Sequence, residues 1–326
     1  MKVLVTGANG FIGRALVRAI IAGGRLAGAD GRPAALDELV LVDRAPFDPP
    51  AAPGIRVRAL VGDLREDSLL RDAMGSGPDS IFHLAATLTI DAENDPDSGW
   101  AINMLLPWRL LEACRGARVR PRFVYASSIA VFGGALPDAV GDRQFRTPAT
   151  SYGTAKAVTE LLIDDYSRKG IVDGRALRLP VVLLRPPART RTVSDIIASI
   201  AREPMLGRPA VSPLGRDLRF PVVSVQRVAS NLLRLHDVDA AQFGDCRSVN
   251  QPGLSVSVGD IVAALGRVAG PDAAGRVSIE PDPAVEAVLK GWPREFVTSY
   301  RFDPPLDPDP DFDTILRAWQ SGEQAQ

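Results

Sequence analysis

Lysine, cysteine and histidine are scarce in this chain, and their scarcity excludes several kinds of site. Four of the 38 basic residues are lysines, and the 326 residues include two cysteines and two histidines. Two cysteines cannot build a disulfide framework or a four-ligand metal site, and two histidines are too few for a histidine-rich one. We therefore expect no metal ion, and each lysine is informative because so few are present.

An excess of charge of one sign is also missing, as is any long apolar run. The sequence has 38 lysines and arginines against 39 aspartates and glutamates, which gives a formal net charge of −1. This balance excludes a strongly basic nucleic-acid-binding protein. No apolar run reaches the ~18 residues that span a membrane, and the N-terminus lacks the layout of a signal peptide. We expect a cytoplasmic protein that binds neither nucleic acid nor membrane.

Short apolar runs alternate with longer helical patterns over the first 185 residues. Some of these runs are almost continuously hydrophobic, which is typical of strands in a parallel sheet that is covered on both faces. The alternation predicts a Rossmann-type, doubly wound α/β fold. It breaks at Pro186 and Pro187, after which the predicted elements are shorter and mixed. We expect a dinucleotide-binding domain over 1–185 and a smaller α/β substrate-binding cap over 186–326, with the chain able to cross between them.

The predicted elements of the first part are six strands and four helices. The strands are Lys2–Thr6, Leu39–Val42, Ile55–Val61, Ser80–His83, Phe123–Ala126 and Arg175–Leu184. The helices are Phe11–Ala22, Glu66–Met74, Gly99–Arg115 and Ser151–Lys169, with an insertion at Gly23–Asp37. In the second part we predict helices at Val193–Ile200, Val225–Leu235, Val258–Val268 and Thr314–Trp319, and strands at Leu218–Val223 and Arg247–Val249.

A glycine-rich turn follows the first predicted strand and leads into the first predicted helix. Gly7 permits the tight turn, Gly10 lets the backbone approach a pyrophosphate, and Gly13 lets the helix pack closely on the sheet. The N-terminus of that helix offers free N–H groups and a positive dipole end to phosphates. A flexible turn is the alternative, but the position between strand and helix favours a dinucleotide site. Its predicted residues are Gly7, Asn9, Gly10, Phe11, Ile12 and Gly13.

Two acidic residues follow the next strands. Asp43 would accept hydrogen bonds from the adenosine ribose and repel a 2′-phosphate, which favours NAD over NADP. The neighbouring Arg44 complicates this preference, because a guanidinium can tolerate a 2′-phosphate. Asp63, followed by Leu64, would reach the adenine; the alternative is that Asp63 caps the next helix. We predict NAD as the cofactor, with Asp43, Arg44, Asp63 and Leu64 along its adenosine half.

A tyrosine and a lysine with helical i, i+4 spacing form the candidate catalytic pair. Tyr152 and Lys156 open a predicted helix, and their spacing places both side chains on one face. The lysine ammonium would stabilise a phenolate and lower the pKa of the tyrosine towards a value useful in base catalysis. Ser128 ends the fifth predicted strand, at the sheet edge where such folds bind ligands, and can hydrogen-bond a substrate hydroxyl.

Several motifs together resemble the extended short-chain dehydrogenase/reductase superfamily. They are the glycine triplet, His83-Leu-Ala-Ala, Ser127-Ser-Ile-Ala-Val-Phe-Gly and Tyr152-Gly-Thr-Ala-Lys. The segments 151–156, 165–180, 202–204 and 252–259 are similar to its D-erythronate dehydrogenase branch, whose members are often labelled nucleoside-diphosphate-sugar epimerases. The resemblance implies NAD-dependent oxidation of D-erythronate at its C2 hydroxyl, which gives the 2-keto acid.

The same resemblance assigns roles to individual residues. It implies that Ser128, Tyr152 and Lys156 are catalytic, with Tyr152 as general base and Lys156 also holding the nicotinamide ribose. Further cofactor contacts would come from Leu84, Ala85, Ala86, Asn103, Leu179 and Pro180. The substrate would contact Thr87, Ser128, Tyr152 and Arg185. The chain departs from the branch's pattern after Ala86 and after Pro186, and both departures bear on the substrate.

A sugar acid presents a carboxylate, which calls for a guanidinium near the reacting groups. Arg185 ends the sixth predicted strand, and Arg189 and Arg191 follow closely; for any one of them a solvated loop is the alternative. His83 and Cys114 are interpreted instead as core residues, since each lies in an apolar strand or on an apolar helix face.

Two other functions stay open at this point. A nucleoside-diphosphate-sugar epimerase or dehydratase would use the same three catalytic residues on a larger substrate, although only 6% of the residues are aromatic and no acid lies beside Ser128. A non-catalytic regulator that senses NAD would have no reason to keep a general base. The sequence favours an enzyme that acts on a small sugar acid.

The resemblance also implies a homodimer. In the family, the helices that match Gly99–Arg115 and Ser151–Lys169 pair across a two-fold axis. Here those helices carry more apolar residues than one packed side needs, and an interface formed in this way would be isologous. The apolar residues in question are Leu105, Leu110, Leu161 and Leu162.

Overall fold

The structure is a computed structural model that describes residues 1–116, 120–184 and 193–321. Its strands are β1 (Lys2–Thr6), β2 (Arg25–Ala27), β3 (Pro33–Ala35), β4 (Glu38–Asp43), β5 (Arg56–Val61), β6 (Ser80–His83), β7 (Arg122–Ser128), β8 (Ala139–Val140), β9 (Asp173–Leu179), β10 (Val181–Val182), β11 (Ala210–Ser212), β12 (Arg219–Val223), β13 (Ser248–Asn250), β14 (Leu254–Ser257), β15 (Val277–Ile279) and β16 (Glu295–Phe296). Its α-helices are α1 (Phe11–Gly23), α2 (Asp67–Met74), α3 (Thr89–Asn94), α4 (Pro96–Trp100), α5 (Leu106–Gly116), α6 (Ser151–Arg168), α7 (Val193–Met205), α8 (Val225–Asp237), α9 (Val258–Ala269), α10 (Pro271–Gly275), α11 (Pro283–Lys290) and α12 (Phe312–Gln320).

Seven parallel strands form the central sheet, in the spatial order β13-β9-β7-β6-β1-β4-β5. β1 pairs with β4 on one side and with β6 on the other. The chain therefore adds β4 and then β5 on one side of β1. It afterwards adds β6, β7, β9 and β13 in turn on the other side. The reversal between β1 and β6 is the topological switch point at which doubly wound sheets bind ligands. The predicted Rossmann-type α/β fold is confirmed.

Alternate residues of the sheet face two separate hydrophobic layers. In β1, Val3 and Val5 pack in the layer that contains α1 and α8, whereas Leu4 packs in the layer that contains α2, α5 and α6. The central strands β6, β7 and β9 are buried almost throughout because both faces of the sheet are covered. This double burial explains why their sequences are nearly continuous apolar runs.

A second hydrophobic core lies in the C-terminal half. There the small sheet β10-β12-β14 packs with α7, α9 and α12. The chain also returns to the central sheet after residue 186, because α8 packs against α1 and β13 adds a parallel strand beside β9. Residues 225–250, which follow the predicted boundary at 185, therefore contribute to the central sheet and to one of its helical layers.

Three local features differ from the sequence prediction. The predicted helix Gly99–Arg115 is interrupted by a π-helical turn at Ala101–Leu105. The predicted strand Arg175–Leu184 is divided at Pro180, which has no N–H for a sheet ladder, so that β9 and β10 belong to different sheets. The insertion Gly23–Asp37 contains an antiparallel hairpin of β2 and β3.

The longest helix in the described ranges is α6, with 18 residues. No helix within those ranges combines the length and the apolar character that crossing a membrane requires. The same ranges hold no group of three or more His, Cys, Asp or Glu side chains that could bind a metal ion.

Candidate active site

A cleft of about 390 Å³ opens at the carboxyl ends of β1, β4, β5 and β6, beside the switch point of the sheet. Its walls are the turns that follow these strands, together with residues of α3 and of the helical region after Trp100. Most of the predicted cofactor residues line it, although they are far apart in the sequence: Gly7, Asn9, Gly10, Asp43, Arg44, Asp63, Leu64, Leu84, Ala85 and Ala86.

The glycine-rich turn packs so closely against neighbouring backbone that Gly7 and Gly13 have no room for a side chain. Gly7 has a φ of +71°, and a Cβ there would lie 2.8 Å from the backbone N of Ala85. α1 begins after Gly10 with no side-chain cap on its N-terminus, and Gly10 lines the cleft. Gly13 lies in the first turn of α1, against the carbonyl of Gly7. The free N–H groups and the positive end of the helix dipole suit a pyrophosphate.

Asp43 both holds the glycine-rich turn and lines the cleft. One carboxylate oxygen accepts a hydrogen bond from the backbone N of Asn9 at 2.9 Å, and the other accepts from the backbone N of Ala45 at 3.1 Å. Each oxygen can accept a further bond, so the group can also bind the hydroxyls of a ribose. Arg44 is exposed on the same wall.

Asp63 is paired with Arg65 on the wall of the cleft. The backbone N and the Nε of Arg65 donate to one carboxylate oxygen at 2.9 and 3.0 Å. These hydrogen bonds hold the pKa of Asp63 below its ordinary value. The residue at the N-cap of α2 is Glu66, so the alternative in which Asp63 caps that helix is wrong.

The segment after β6 forms the opposite wall, and a buried asparagine holds it in place. The amide of Asn103, in the π-helical turn, bonds both backbone groups of Thr87. Its Oδ1 accepts from the backbone N at 3.0 Å, and its Nδ2 donates to the carbonyl oxygen at 3.2 Å. Asn103 is 2% exposed, so it supports this wall from within. Thr87, predicted to contact the substrate, lines the cleft.

A smaller pocket of about 70 Å³ adjoins the cleft, and Leu88 lines both. It brings together Ser128, Tyr152 and Pro180, all of which were predicted to belong to the site. Leu179, which precedes Pro180, is buried in the core. None of the described residues that line the pocket is a lysine or an arginine. The predicted carboxylate partner Arg185 and its neighbours Arg189 and Arg191 lie outside the described residues.

Lys156 is buried next to Tyr152, with 2% of its surface exposed. Its Nζ donates to the carbonyl oxygen of Ala126 at 2.8 Å, and lies 4.5 Å from the ring centroid of Tyr125 and 5.5 Å from that of Tyr152. Burial lowers the pKa of Lys156 to about 7, against the attraction of the Glu160 carboxylate. A lysine in this state exchanges its proton near neutral pH, as groups in active sites often do.

The two serines at the end of β7 have different partners. The hydroxyl of Ser127 is buried and donates to the carboxylate of Glu160 at 2.5 Å. The hydroxyl of Ser128 accepts a hydrogen bond from the backbone N of Ala130 at 3.2 Å, and Ser128 lines the small pocket. Successive residues of a strand face opposite sides, which is why only one of the two reaches the pocket. A hydroxyl with this acceptor role can still donate its proton to a ligand.

A buried ion cluster lies one helical turn beyond Lys156. Glu160 is fully buried and pairs with Arg178 of β9 at 2.8 Å, and also with Arg146. Burial opposes ionisation, but the charge of Arg178 holds the pKa of Glu160 below its ordinary value. Arg178 also donates to the carbonyl oxygen of Asp142 at 2.9 Å. The cluster was not predicted, because its members share no motif and meet only through tertiary packing.

Six residues that line the small pocket were not among the predicted site residues: Leu88, Thr89, Ile129, Ala130, Ser194 and Trp292. The first four lie next to or close to predicted residues in the sequence, whereas Ser194 and Trp292 come from distant parts of the chain, so no local spacing connects these two to Tyr152. The one available signal was scarcity, because Trp292 is one of four tryptophans in 326 residues.

Several residues singled out from the sequence pack in or against the core. Phe11 and Ile12, predicted to contact the cofactor, pack against the hydrophobic layer of α1. His83 is buried with its Nδ1 2.7 Å from Oγ1 of Thr6, and burial lowers its pKa to about 3. Burial raises the pKa of the Cys114 thiol to about 12. The interpretation of His83 and Cys114 as core residues is confirmed.

Known proteins with the same fold and similar sequence identify the family. The sequence model of the NAD-dependent epimerase/dehydratase family matches residues 3–235 of this chain. D-erythronate dehydrogenase of Cupriavidus necator is 37% identical over 319 residues, which cover 98% of each chain. D-erythronate dehydrogenase of Haemophilus influenzae is 36% identical over 294 residues, which cover 90% of each chain. The crystal structure of a nucleoside-diphosphate-sugar epimerase from Agrobacterium tumefaciens is 33% identical with a TM-score of 0.91, and the match covers 100% of this chain and 95% of that one. The protein belongs to the NAD-dependent epimerase/dehydratase family.

Proposed function

We propose that this protein is an NAD-dependent dehydrogenase that oxidises D-erythronate at C2 to the 2-keto acid. The observation that carries the proposal is a small pocket, lined by Ser128 and Tyr152, that adjoins a cleft suited to a dinucleotide. Such a pocket accommodates a substrate of few heavy atoms beside one end of the cofactor. D-erythronate has four carbons, and the two relatives that carry this activity in their names are 37% and 36% identical to this chain.

The residues of the cleft fit NAD. The N-terminus of α1 and the turn at Gly7 and Gly10 would hold the pyrophosphate, and Asp43 would bind the adenosine ribose. A carboxylate at this position disfavours a 2′-phosphate, so we propose NAD as the cofactor in preference to NADP. When bound, the nicotinamide ring supplies the acceptor for a hydride.

Tyr152 is the proposed general base. Its phenolate takes the proton of the C2 hydroxyl while C2 loses its hydrogen as a hydride and the carbon–oxygen double bond forms. The ammonium form of Lys156 favours the phenolate by its charge, and its Nζ lies 5.5 Å from the tyrosine ring centroid. Ser128 donates a hydrogen bond to the reacting oxygen and so fixes its position between the two side chains.

The carboxylate of the substrate requires a cation. We propose that Arg185 supplies it, or else Arg189 or Arg191, since the described residues of the pocket include neither lysine nor arginine. Such a contact is a charge-assisted hydrogen bond, which is stronger in a desolvated pocket than in water.

One experiment separates this function from its two rivals. An epimerase would convert a UDP-sugar without net NADH formation, and a non-catalytic NAD sensor would bind NAD without turnover. We would measure NADH formation with four- to six-carbon aldonates and analyse UDP-sugar incubations for new sugar nucleotides. We expect NADH formation with the highest kcat/KM for D-erythronate. Conversion of a UDP-sugar at a higher kcat/KM, or NAD binding with no turnover of any substrate, would contradict the proposal.

We also propose a homodimer that pairs two helices of each copy across a two-fold axis. Leu105 and Trp108 are each 41% exposed, and Leu161 is 55% exposed. All three lie on adjacent helices, and exposed large apolar side chains in one region mark interaction surfaces. Leu110 is buried in the core of the chain and Leu162 packs partly against that core, so these two do not belong to the exposed face.

A further inference from the structure

Trp292 is a wall of the pocket that also holds Ser128 and Tyr152, yet it comes from the C-terminal half of the chain. It follows α11, and its backbone N donates to the carbonyl oxygen of Leu289 at 2.9 Å. Apart from Tyr152, it is the only aromatic residue among the described residues that line the pocket. It is also the bulkiest of them, so it has the largest effect on the space available.

The indole is held from two directions. It packs against a cluster that includes Ile129, Phe132 and Phe296, and also against the core of the C-terminal part. A few residues later, β16 pairs in parallel with β8, which attaches this segment to the loop that follows Ser128. A large side chain that is packed between two cores and followed by a paired strand forms a rigid wall.

The position of this wall limits the size of a ligand. Under the proposed function, the dinucleotide occupies the cleft of about 390 Å³ with its nicotinamide end reaching towards Pro180, and the substrate lies beside it in the pocket of about 70 Å³. Thr89 and Ser194 line that pocket, and a hydroxyl side chain can hydrogen-bond the hydroxyls of a short sugar acid. The carbon face of an indole offers no such partner, so an additional CHOH group placed there would lose its hydrogen bonds to water without replacement.

We propose that Trp292 determines the chain length of the sugar acid that this protein oxidises, an inference that rests on the proposed function. In a pocket of this size, with the C2 hydroxyl held between Ser128 and Tyr152, we expect the far end of a four-carbon chain to reach the indole and a longer chain to collide with it. Trp292 is thus a specificity-determining residue. It acts by excluding longer substrates and leaves the proton transfer to Tyr152.

The test compares substitutions at two tryptophans. Trp292→Ala removes the wall and Trp292→Phe shortens it. Trp319→Ala is the matched control, because Trp319 packs against the same C-terminal core but is absent from the described lining of the pocket. Each variant would be assayed for NADH formation with four-, five- and six-carbon aldonates. We expect Trp292→Ala to raise the ratio of kcat/KM for the six-carbon to the four-carbon acid at least tenfold. Trp292→Phe should give an intermediate ratio, and Trp319→Ala the wild-type ratio.

The outcomes separate this inference from the proposed function. If Trp292→Ala fails to fold, as judged by thermal unfolding and NAD binding, the ratio in Trp292→Phe decides. A folded variant with the wild-type ratio, or an equal change in Trp319→Ala, overturns the inference and leaves D-erythronate oxidation in place. A wild-type protein that oxidises no aldonate removes the proposed function, and this inference with it.

Discussion

Burial shifts the pKa values of two titratable side chains near the proposed site and so decides their charge. Lys156 and His83 are both almost inaccessible to solvent, and burial lowers the pKa of each, to about 7 for the lysine and to about 3 for the histidine. The carboxylate of Glu160 offsets part of the effect at Lys156, whereas the charge of Lys156 adds to it at His83. One of the two residues therefore exchanges its proton near neutral pH and the other stays neutral.

The neutral state of His83 predicts a dependence of stability on pH. Its pKa is about 3 in the folded protein and about 6.5 in an unfolded chain, so between these values the unfolded chain binds one proton more. The contribution of His83 to the free energy of unfolding is therefore complete above pH 6.5 and decreases below it, by up to about 1.4 kcal/mol per pH unit. Urea unfolding of wild type and His83→Gln at pH 7, 6 and 5 should show a smaller decrease in the variant. Equal decreases would mean that His83 is protonated in the folded state.

The carboxylate of Asp43 leads us to expect a preference for NAD over NADP. Asp43→Ala removes the acceptor for the ribose hydroxyls and the bonds to the backbone of Asn9 and Ala45. We expect the preference for NAD over NADP in kcat/KM to decrease tenfold or more, which corresponds to about 1.4 kcal/mol. Asp43→Asn is the control, because it keeps an acceptor for the backbone but loses the charge that repels a 2′-phosphate. A wild-type preference for NADP would contradict the assignment.

At the scale of elements, α6 carries most of the proposed chemistry. Tyr152, Lys156 and Glu160 occupy successive turns of this helix, whose N-terminus is capped by the hydroxyl of Thr150. The helix also lies directly against the turn after Ser128, since a Cβ on Gly153 would be 2.0 Å from the carbonyl oxygen of Ala130. This contact fixes the distance between the strand that carries Ser128 and the helix that carries Tyr152.

The ion cluster around Glu160 of α6 predicts that two similar substitutions change the free energy of unfolding by very different amounts. Glu160→Gln leaves the buried guanidinium of Arg178 without its counter-charge, and we expect a loss of about 3–5 kcal/mol in the free energy of unfolding. Asp165→Asn, at a partly exposed position of the same helix, should have little effect because solvent screens its pairs with Arg168 and Lys169. Urea unfolding of both variants makes the comparison. Equal losses would show that Glu160 is not a stabilising partner of Arg178.

Elements that depend on local sequence signals could be predicted, and elements that depend on long-range packing could not. Strands β1 and β6 were predicted with the bounds they have, because continuous apolar runs and the turns beside them are local signals. The π-helical turn before α5 has no such signal; its residues read as ordinary helix, and the turn contains Asn103, whose amide supports the wall at Thr87. The cluster of Arg146, Glu160 and Arg178 depends on packing between distant segments, so no sequence pattern indicates it.

At the scale of the whole molecule, too, sites formed by local signals could be predicted and sites formed by long-range packing could not. The cleft could be predicted, because its residues follow strands whose ends must meet at one edge of a parallel sheet. The substrate pocket could be predicted only on the side of Ser128 and Tyr152. Its other side contains Ser194 of α7 and Trp292, which follows α11, and both helices belong to the C-terminal core.

The exposed apolar residues on adjacent helices predict the oligomeric state. We expect light scattering to give twice the mass of one chain at micromolar concentration. Leu161→Glu places a charge at the proposed two-fold interface, once in each copy, and should produce a monomer. Leu206→Glu is the control, because Leu206 is 48% exposed but lies on neither of the two helices. A monomeric wild type, or dissociation in both variants, would contradict the proposed interface.

The most direct measurement is the initial rate of NADH formation from D-erythronate for the wild type and Tyr152→Phe, with NAD affinity determined separately by titration. The phenylalanine ring keeps the packing but cannot accept the proton of the C2 hydroxyl. We predict that the wild type oxidises D-erythronate, and that the variant loses a factor of about 10²–10⁴ in kcat while its NAD affinity stays nearly unchanged. A variant that retains more than about a tenth of the wild-type kcat, or a wild type without activity on D-erythronate, would contradict this account.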